Sequence, residues 1–149
     1  IIEGGLSKIG LESTIINLIG KPEVLRIGSI DINKLSKALK RKLFYRKKTY
    51  MKVPGQNRLH YSPGIPLRMN CKEASLDEAF ILVKKRNNSN KNFFYLSKNK
   101  NLKEAARNLY SVLRKIKKRG YKKIAVEKIE NKGIGLAIND RLQKASTKK

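Results

Sequence analysis

Residues Asn101–Gly120 read NLKEAARNLYSVLRKIKKRG. Leu102, Ala105, Ala106, Leu109, Val112, Leu113 and Ile116 recur at the three- and four-residue spacing that gathers apolar side chains on one helix face. Gly120 suits the left-handed residue that ends a helix. The spacing predicts an amphipathic helix, and its flanks set the fold class. Upstream, PLRMN (66–70), AFILVKK (79–85) and FFYLS (93–97) read as strands, with the polar turn NNSNKN before the last of them. Downstream, KIAVEKI (Lys123–Ile129) reads as a strand, and NKGIGLAINDRLQKA (131–145) as a glycine-rich turn opening a final helix. Strand, helix, strand, helix at this spacing predicts a small α/β layer.

Working toward the N-terminus, STIINLI (Ser13–Ile19) and EVLRIGSI (Glu23–Ile30) are apolar and β-branched, joined by the turn signal GKP. They read as a hairpin or as neighbouring strands. Asp31 is a natural N-cap for the helix that Ile32, Leu35 and Leu39 imply. A basic run, KRKLFYRKKTYMK, leads into VPGQNRLHYSPGIP (Val53–Pro66), which holds three of the four prolines and the only histidine, His60. Proline fixes φ and pushes its predecessor into extended backbone, so this segment is expected to be a stiff, exposed connector.

The chain has 149 residues and a net charge of +25. Residues 1–37 carry five basic and four acidic residues, residues 38–63 eight and none, and the rest 23 and seven, so charge is concentrated away from the first segment. Two readings compete. A positive field attracts phosphate backbones, which suggests RNA. Against this, 26 Lys outnumber 10 Arg beside 16 Ile and 13 Asn, a composition that A- and T-rich coding produces by itself. One cysteine, Cys71, excludes an internal disulfide, and a single histidine leaves no ligand set for zinc. No apolar run is long enough to span a membrane, so a cytoplasmic protein is expected. Gly133 and Gly135 lack the third glycine and the opening position of a dinucleotide loop, and read as helix-entry glycines. No nucleophile–base pair stands out, so no catalytic residue is assigned.

In order, GLESTIINL, PEVLRIGSI, VPGQNRLHYSPGIPL, LSKNKNLKEAARNLYSVLRKI and GIGLAINDRL resemble the C-terminal portion of the two-domain L-threonylcarbamoyladenylate synthases. The resemblance covers nearly the whole chain. It implies a C-terminal part of a YrdC-like α/β catalytic domain over 1–45, an extended proline-rich linker over 46–66, and a small Rossmann-like, three-layer α/β accessory domain over 67–149. The implied reaction joins L-threonine, bicarbonate and ATP into threonylcarbamoyl-AMP and pyrophosphate, with Mg2+ accompanying ATP. Partner proteins then transfer the threonylcarbamoyl group to tRNA. By the same resemblance Ser13 binds L-threonine, and Arg26, His60 and Tyr61 bind ATP. Two departures stand out: Ile27 replaces a usual proline, and Asn17 a common aspartate. The resemblance also implies that the family's lysine/arginine ATP motif lies upstream of Ile1, and that this chain makes no adenylate alone. The alternative is a basic module that binds tRNA or double-stranded RNA through residues 38–52 and the Arg107, Arg114, Lys115 and Lys118 face of the long helix.

Overall fold

The computed structural model describes residues 2, 4–5, 7–45, 53–55, 61–88 and 90–146. They build two sheets. In the first, β1 (Ile15–Asn17) pairs antiparallel with β2 (Glu23–Arg26), and β2 pairs parallel with β3 (Phe44–Tyr45). The hairpin is thus present, while β3 falls in the stretch that looked in sequence like a mere basic run. A bulge between Ile15 and Ile16 sets Ile15 opposite Arg26, where the extra residue re-aims neighbouring side chains. Helix α1 (Ile32–Ala38) follows β2, and Asp31 caps it by accepting from the backbone N–H groups of Asn33 and Lys34.

The second sheet contains β4 (Leu67–Cys71), β5 (Ala79–Lys84), β6 (Phe93–Ser97) and β7 (Ile124–Glu127), all parallel, in the spatial order β4-β7-β5-β6. Helix α2 (Leu102–Lys118) links β6 to β7, and α3 (Ile134–Ser146) follows β7. Asn101 caps α2 through bonds of 2.9 and 3.1 Å from Lys103 and Glu104, and Lys115, Lys117 and Lys118 oppose the negative end of its dipole. Gly135 is forced by packing: a Cβ there would sit 2.0 Å from the carbonyl oxygen of Glu130. This supports the helix-entry reading of the glycines.

Both helices cover the same face of the sheet. Ala79, Ile81, Val83, Leu96, Ile124 and Val126 form one core with Leu109, Ile116, Ile138 and Leu142, and each fully buried aliphatic contributes roughly 1.5–3 kcal/mol. On the opposite face Phe80, Leu82, Cys71 and Ala125 pack against Ala74, Phe93 and Tyr95. The expected three layers are therefore two among the described residues. The uninterrupted apolar run of β5 imitates a strand sandwiched between helices, but aromatic neighbours bury its second face. The two modules meet through α3: Ala137 joins the cluster of Val24, Ile27 and Leu43, whereas Ile138 and Leu142 face the larger core. Gly10 adds a second junction, since its α-carbon faces the backbone of Arg107 in α2.

Candidate functional site

The turn after β1 and the return of β2 bring Ser13, which precedes β1, beside Arg26. Arg26 Nε donates to the Ser13 carbonyl at 2.9 Å, and Nη2 to Ser13 Oγ at 2.9 Å. Its Nη1 donates to the Pro54 carbonyl at 3.0 Å, so the connector joins the same guanidinium. The approach is close because Gly28 lies against the chain opposite: a Cβ there would sit 2.3 Å from Thr14 N. Gly55, with φ +85°, likewise leaves room for the Tyr61 hydroxyl beside Arg26. Ser13, Arg26 and the described parts of the connector thus converge. His60 lies outside the described residues, as do residues 46–52 of the basic run.

The connector is not simply exposed. Tyr61 is 9% exposed and belongs to the larger core. Its ring stacks on Tyr110 of α2, with centroids 5.7 Å apart and an interplanar angle of 19°, while the Arg141 guanidinium lies over it at 4.9 Å. Sequence periodicity gave no warning of this, because an aromatic residue between prolines reads the same whether docked or solvated.

Arg141 is the functional candidate that sequence reasoning missed. It is 1% exposed, donates to Glu12 at 2.9 Å and also pairs with Asp140. Asp140 accepts in turn from Lys144 at 2.8 Å and from the Tyr45 hydroxyl at 3.1 Å. Tyr110 donates its hydroxyl to Glu12 at 3.2 Å. A signal was present: Arg141 stands among Ala137, Ile138, Leu142 and Ala145, on the buried stripe of its helix. Burial pushes the Glu12 carboxyl up, but its own backbone N–H, Arg141 and Tyr110 outweigh this and hold it below the usual range. Burial, then the Asp140 charge, pushes the Tyr45 hydroxyl up to about 12. Burial and the charge of Glu12 raise Tyr110 further. Glu12 is therefore ionised, and Tyr45 and Tyr110 protonated, over the ordinary pH range.

A separate cleft of about 600 Å³ opens at the carboxyl ends of the parallel strands, lined by Asn70, Lys72, Lys84, Arg86, Glu127 and Lys128. Glu127 closes one side, accepting from Val83 N at 3.0 Å and Arg86 at 2.8 Å. Among the described residues no group of three His, Cys, Asp or Glu side chains could hold a metal ion. No helix among them is long and apolar enough to cross a membrane.

Fold and site together define an α/β protein in which Ser13, just before β1, pairs with Arg26 of β2 beside a parallel-sheet layer. Residues 24–147 match the family model "Threonylcarbamoyl-AMP synthase, C-terminal domain", and the chain belongs to that family. It is 30% identical to the threonylcarbamoyl-AMP synthase of Pyrococcus abyssi, over 98% of this chain and 48% of the relative. The enzyme of that name from Schizosaccharomyces pombe is 29% identical over 99% of this chain and 45% of its own length. The chain thus spans about half the length of the curated relatives it matches. The crystal structure of P. abyssi Sua5 complexed with L-threonine superposes with a TM-score of 0.79 at 27% identity, covering 97% of this chain and 48% of that one. A P. abyssi Sua5 structure with an adjacent His and Tyr both replaced by Ala gives a TM-score of 0.64 at 26% identity, over 97% of this chain and 45% of that one.

Proposed function

We propose that the chain serves as the C-terminal part of a threonylcarbamoyl-AMP synthase, acting in the threonylcarbamoyl modification of tRNA. The reaction is adenylate formation from L-threonine, bicarbonate and ATP, a nucleotidyl transfer. The threonine amine and bicarbonate give a carbamate and water; a carbamate oxygen then attacks the α-phosphorus, and the bond to the leaving pyrophosphate breaks. This chemistry requires positioning and charge stabilisation and needs no protein nucleophile. The observation that carries the reading is the Arg26 guanidinium, which gathers the predicted threonine-binding Ser13 and the predicted ATP-covering connector at bonds of 2.9 to 3.0 Å.

Ser13 Oγ accepts from Arg26, which leaves its own proton to donate to the threonine carboxylate. Arg26 uses three of the roughly five N–H donors of a guanidinium on protein, and the others suit phosphate oxygens. Magnesium enters with the ATP phosphates. In this reading the connector that carries His60 and Tyr61 straps the nucleotide, with the Tyr61 ring seating it against Tyr110 and Arg141. His60 and Tyr61 are the chain's single His-Tyr pair, the pair type altered in the Sua5 variant. Residues 1–45 supply part of the YrdC-like domain, a role that accords with the edge position of β1 among the described strands and with Ile19, 83% exposed beside it.

The test is threonylcarbamoyl-AMP formation by a synthase polypeptide containing this chain. Ser13→Ala raises KM for L-threonine roughly tenfold, the equivalent of a hydrogen bond of about 1.4 kcal/mol, with a smaller change for ATP. Arg26→Lys and His60→Ala raise KM for ATP instead. Unchanged kinetics in all three would overturn the assignment. A second reading, RNA binding, draws on the exposed Arg107, Arg114, Lys115 and Lys118 of α2 and on Lys72, Lys84 and Lys128, which have no ion-pair partner among the described residues. Duplex affinity would then fall with a log–log salt slope of about −0.9 per phosphate neutralised, and a flat response leaves the charge to composition.

A further inference from the structure

We propose that Arg141 is a positioning residue, through which α3 holds the strap tyrosine and the Ser13-bearing segment in one arrangement. Three observations combine. The guanidinium lies over the Tyr61 ring at 4.9 Å, on a residue whose ring also stacks against Tyr110. The same group donates at 2.9 Å to Glu12, the residue immediately before Ser13. Asp140 anchors it, and Asp140 is itself tied to Lys144 in α3 and to Tyr45 at the end of β3. One buried cation therefore touches the connector, the segment carrying the threonine-binding candidate and the accessory layer.

The choice of residue is informative. A buried ion pair is a poor device for stability, because burial removes hydration that the pairing only partly restores. Here Arg141 Nη2 has no hydrogen-bond partner at all among the described residues, so its donors are not even fully used. An apolar side chain would fill the site at less cost. What arginine adds is a flat cationic face for the Tyr61 ring and a fork for Glu12, two directions that neither lysine nor leucine supplies together. Gly55 extends the chain of contact, since the Tyr61 hydroxyl and the Arg26 side chain both lie against its α-carbon. One path runs from Arg141 through Tyr61 to the Pro54–Gly55 segment, whose Pro54 carbonyl accepts from Arg26, and another through Glu12 to Ser13. The accessory layer thereby acts as the seat of the strap.

The inference rests on the synthase reading only for what the strap covers. Its first test uses the 149-residue chain alone. Hydrogen exchange is followed at residues 53–55 and 61–66, with residues 105–116 of α2 as internal reference. Arg141→Lys keeps the charge without the stacking face, and Arg141→Met keeps the volume without the fork. Both accelerate strap exchange at least tenfold with little change in α2. Tyr110→Leu, which removes the second ring from the Tyr61 stack while leaving Arg141 in place, does the same and serves if the Arg141 variants do not fold. Unchanged strap exchange, or acceleration shared equally by α2, would overturn the proposal and leave Arg141 a general packing residue. The second test measures kcat/KM for L-threonine in a synthase polypeptide containing this chain, where Arg141→Lys lowers it at least tenfold. A wild-type polypeptide that makes no adenylate while its strap loosens on Arg141 substitution counts against the synthase reading and supports the seat. Full activity in Arg141→Lys, despite a loosened strap, overturns the positioning role.

Discussion

Gly10→Ala tests the junction between the segment leading to Ser13 and helix α2. Gly10 has φ +71°, and a Cβ there would lie 2.7 Å from Arg107 Cα and 2.9 Å from Arg107 O. Two costs follow. The left-handed backbone penalises any L side chain by about 1–2 kcal/mol. The clash adds about 1–3 kcal/mol more, because the obstacle is helical backbone and no side chain can rotate out of the way. Gly120→Ala separates the two: Gly120 has φ +78° with nothing within 4 Å of the added carbon, so it carries the first cost alone. Urea unfolding, monitored by circular dichroism, reads the difference. With an m-value of about 2 kcal/mol/M for a chain of this size, the Gly10→Ala midpoint falls roughly 0.5–1.5 M below that of Gly120→Ala. Midpoints within about 0.2 M of each other would show that the N-terminal segment does not bear on α2, and would undo the account of how the two modules meet.

Asp31→Ala removes the cap that accepts from Asn33 and Lys34 N–H and costs about 1 kcal/mol in the same assay, whereas Asp31→Ser restores most of it. Melting temperature falls on the acid side. Glu12, Glu78, held down by Arg68, and Glu104, held down by Ser97, have lowered folded values, so their stabilisation is full above the unfolded value and is lost as pH drops below about 4. An alkaline limb has the opposite sign. Tyr45, Tyr61 and Tyr110 are raised, so their contribution is complete below about pH 10 and is lost as pH climbs through the folded values; a melting temperature unchanged from pH 9 to 12 would refute it. Cys71 is largely buried with its thiol 3.6 Å from the Arg68 and Met69 carbonyls, so a thiol reagent modifies it more slowly in the folded chain than in urea, and equal rates would refute that burial.

Local periodicity and caps were legible in the sequence. The stripe from Leu102 to Ile116, the Asp31 cap and the strand character of the β4, β5, β6 and β7 segments each follow from residues within one element, where spacing maps directly onto a face; that those strands pair in parallel does not. The ordered motifs also specified the family, because the linker and the GIGLAINDRL ending jointly constrain what the chain resembles. Only the tertiary structure decided the rest. That α2 and α3 share one face of the sheet depends on how β5 is covered, and its run AFILVK is equally apolar toward both sides. That Arg26 binds Ser13 and Pro54 at once depends on three segments far apart in the chain. Arg141 and Glu12 are separated by 129 positions, and no periodicity reports a contact of that range. A charged residue on an apolar stripe says that a partner exists; which residue it is depends on the packing of distant elements.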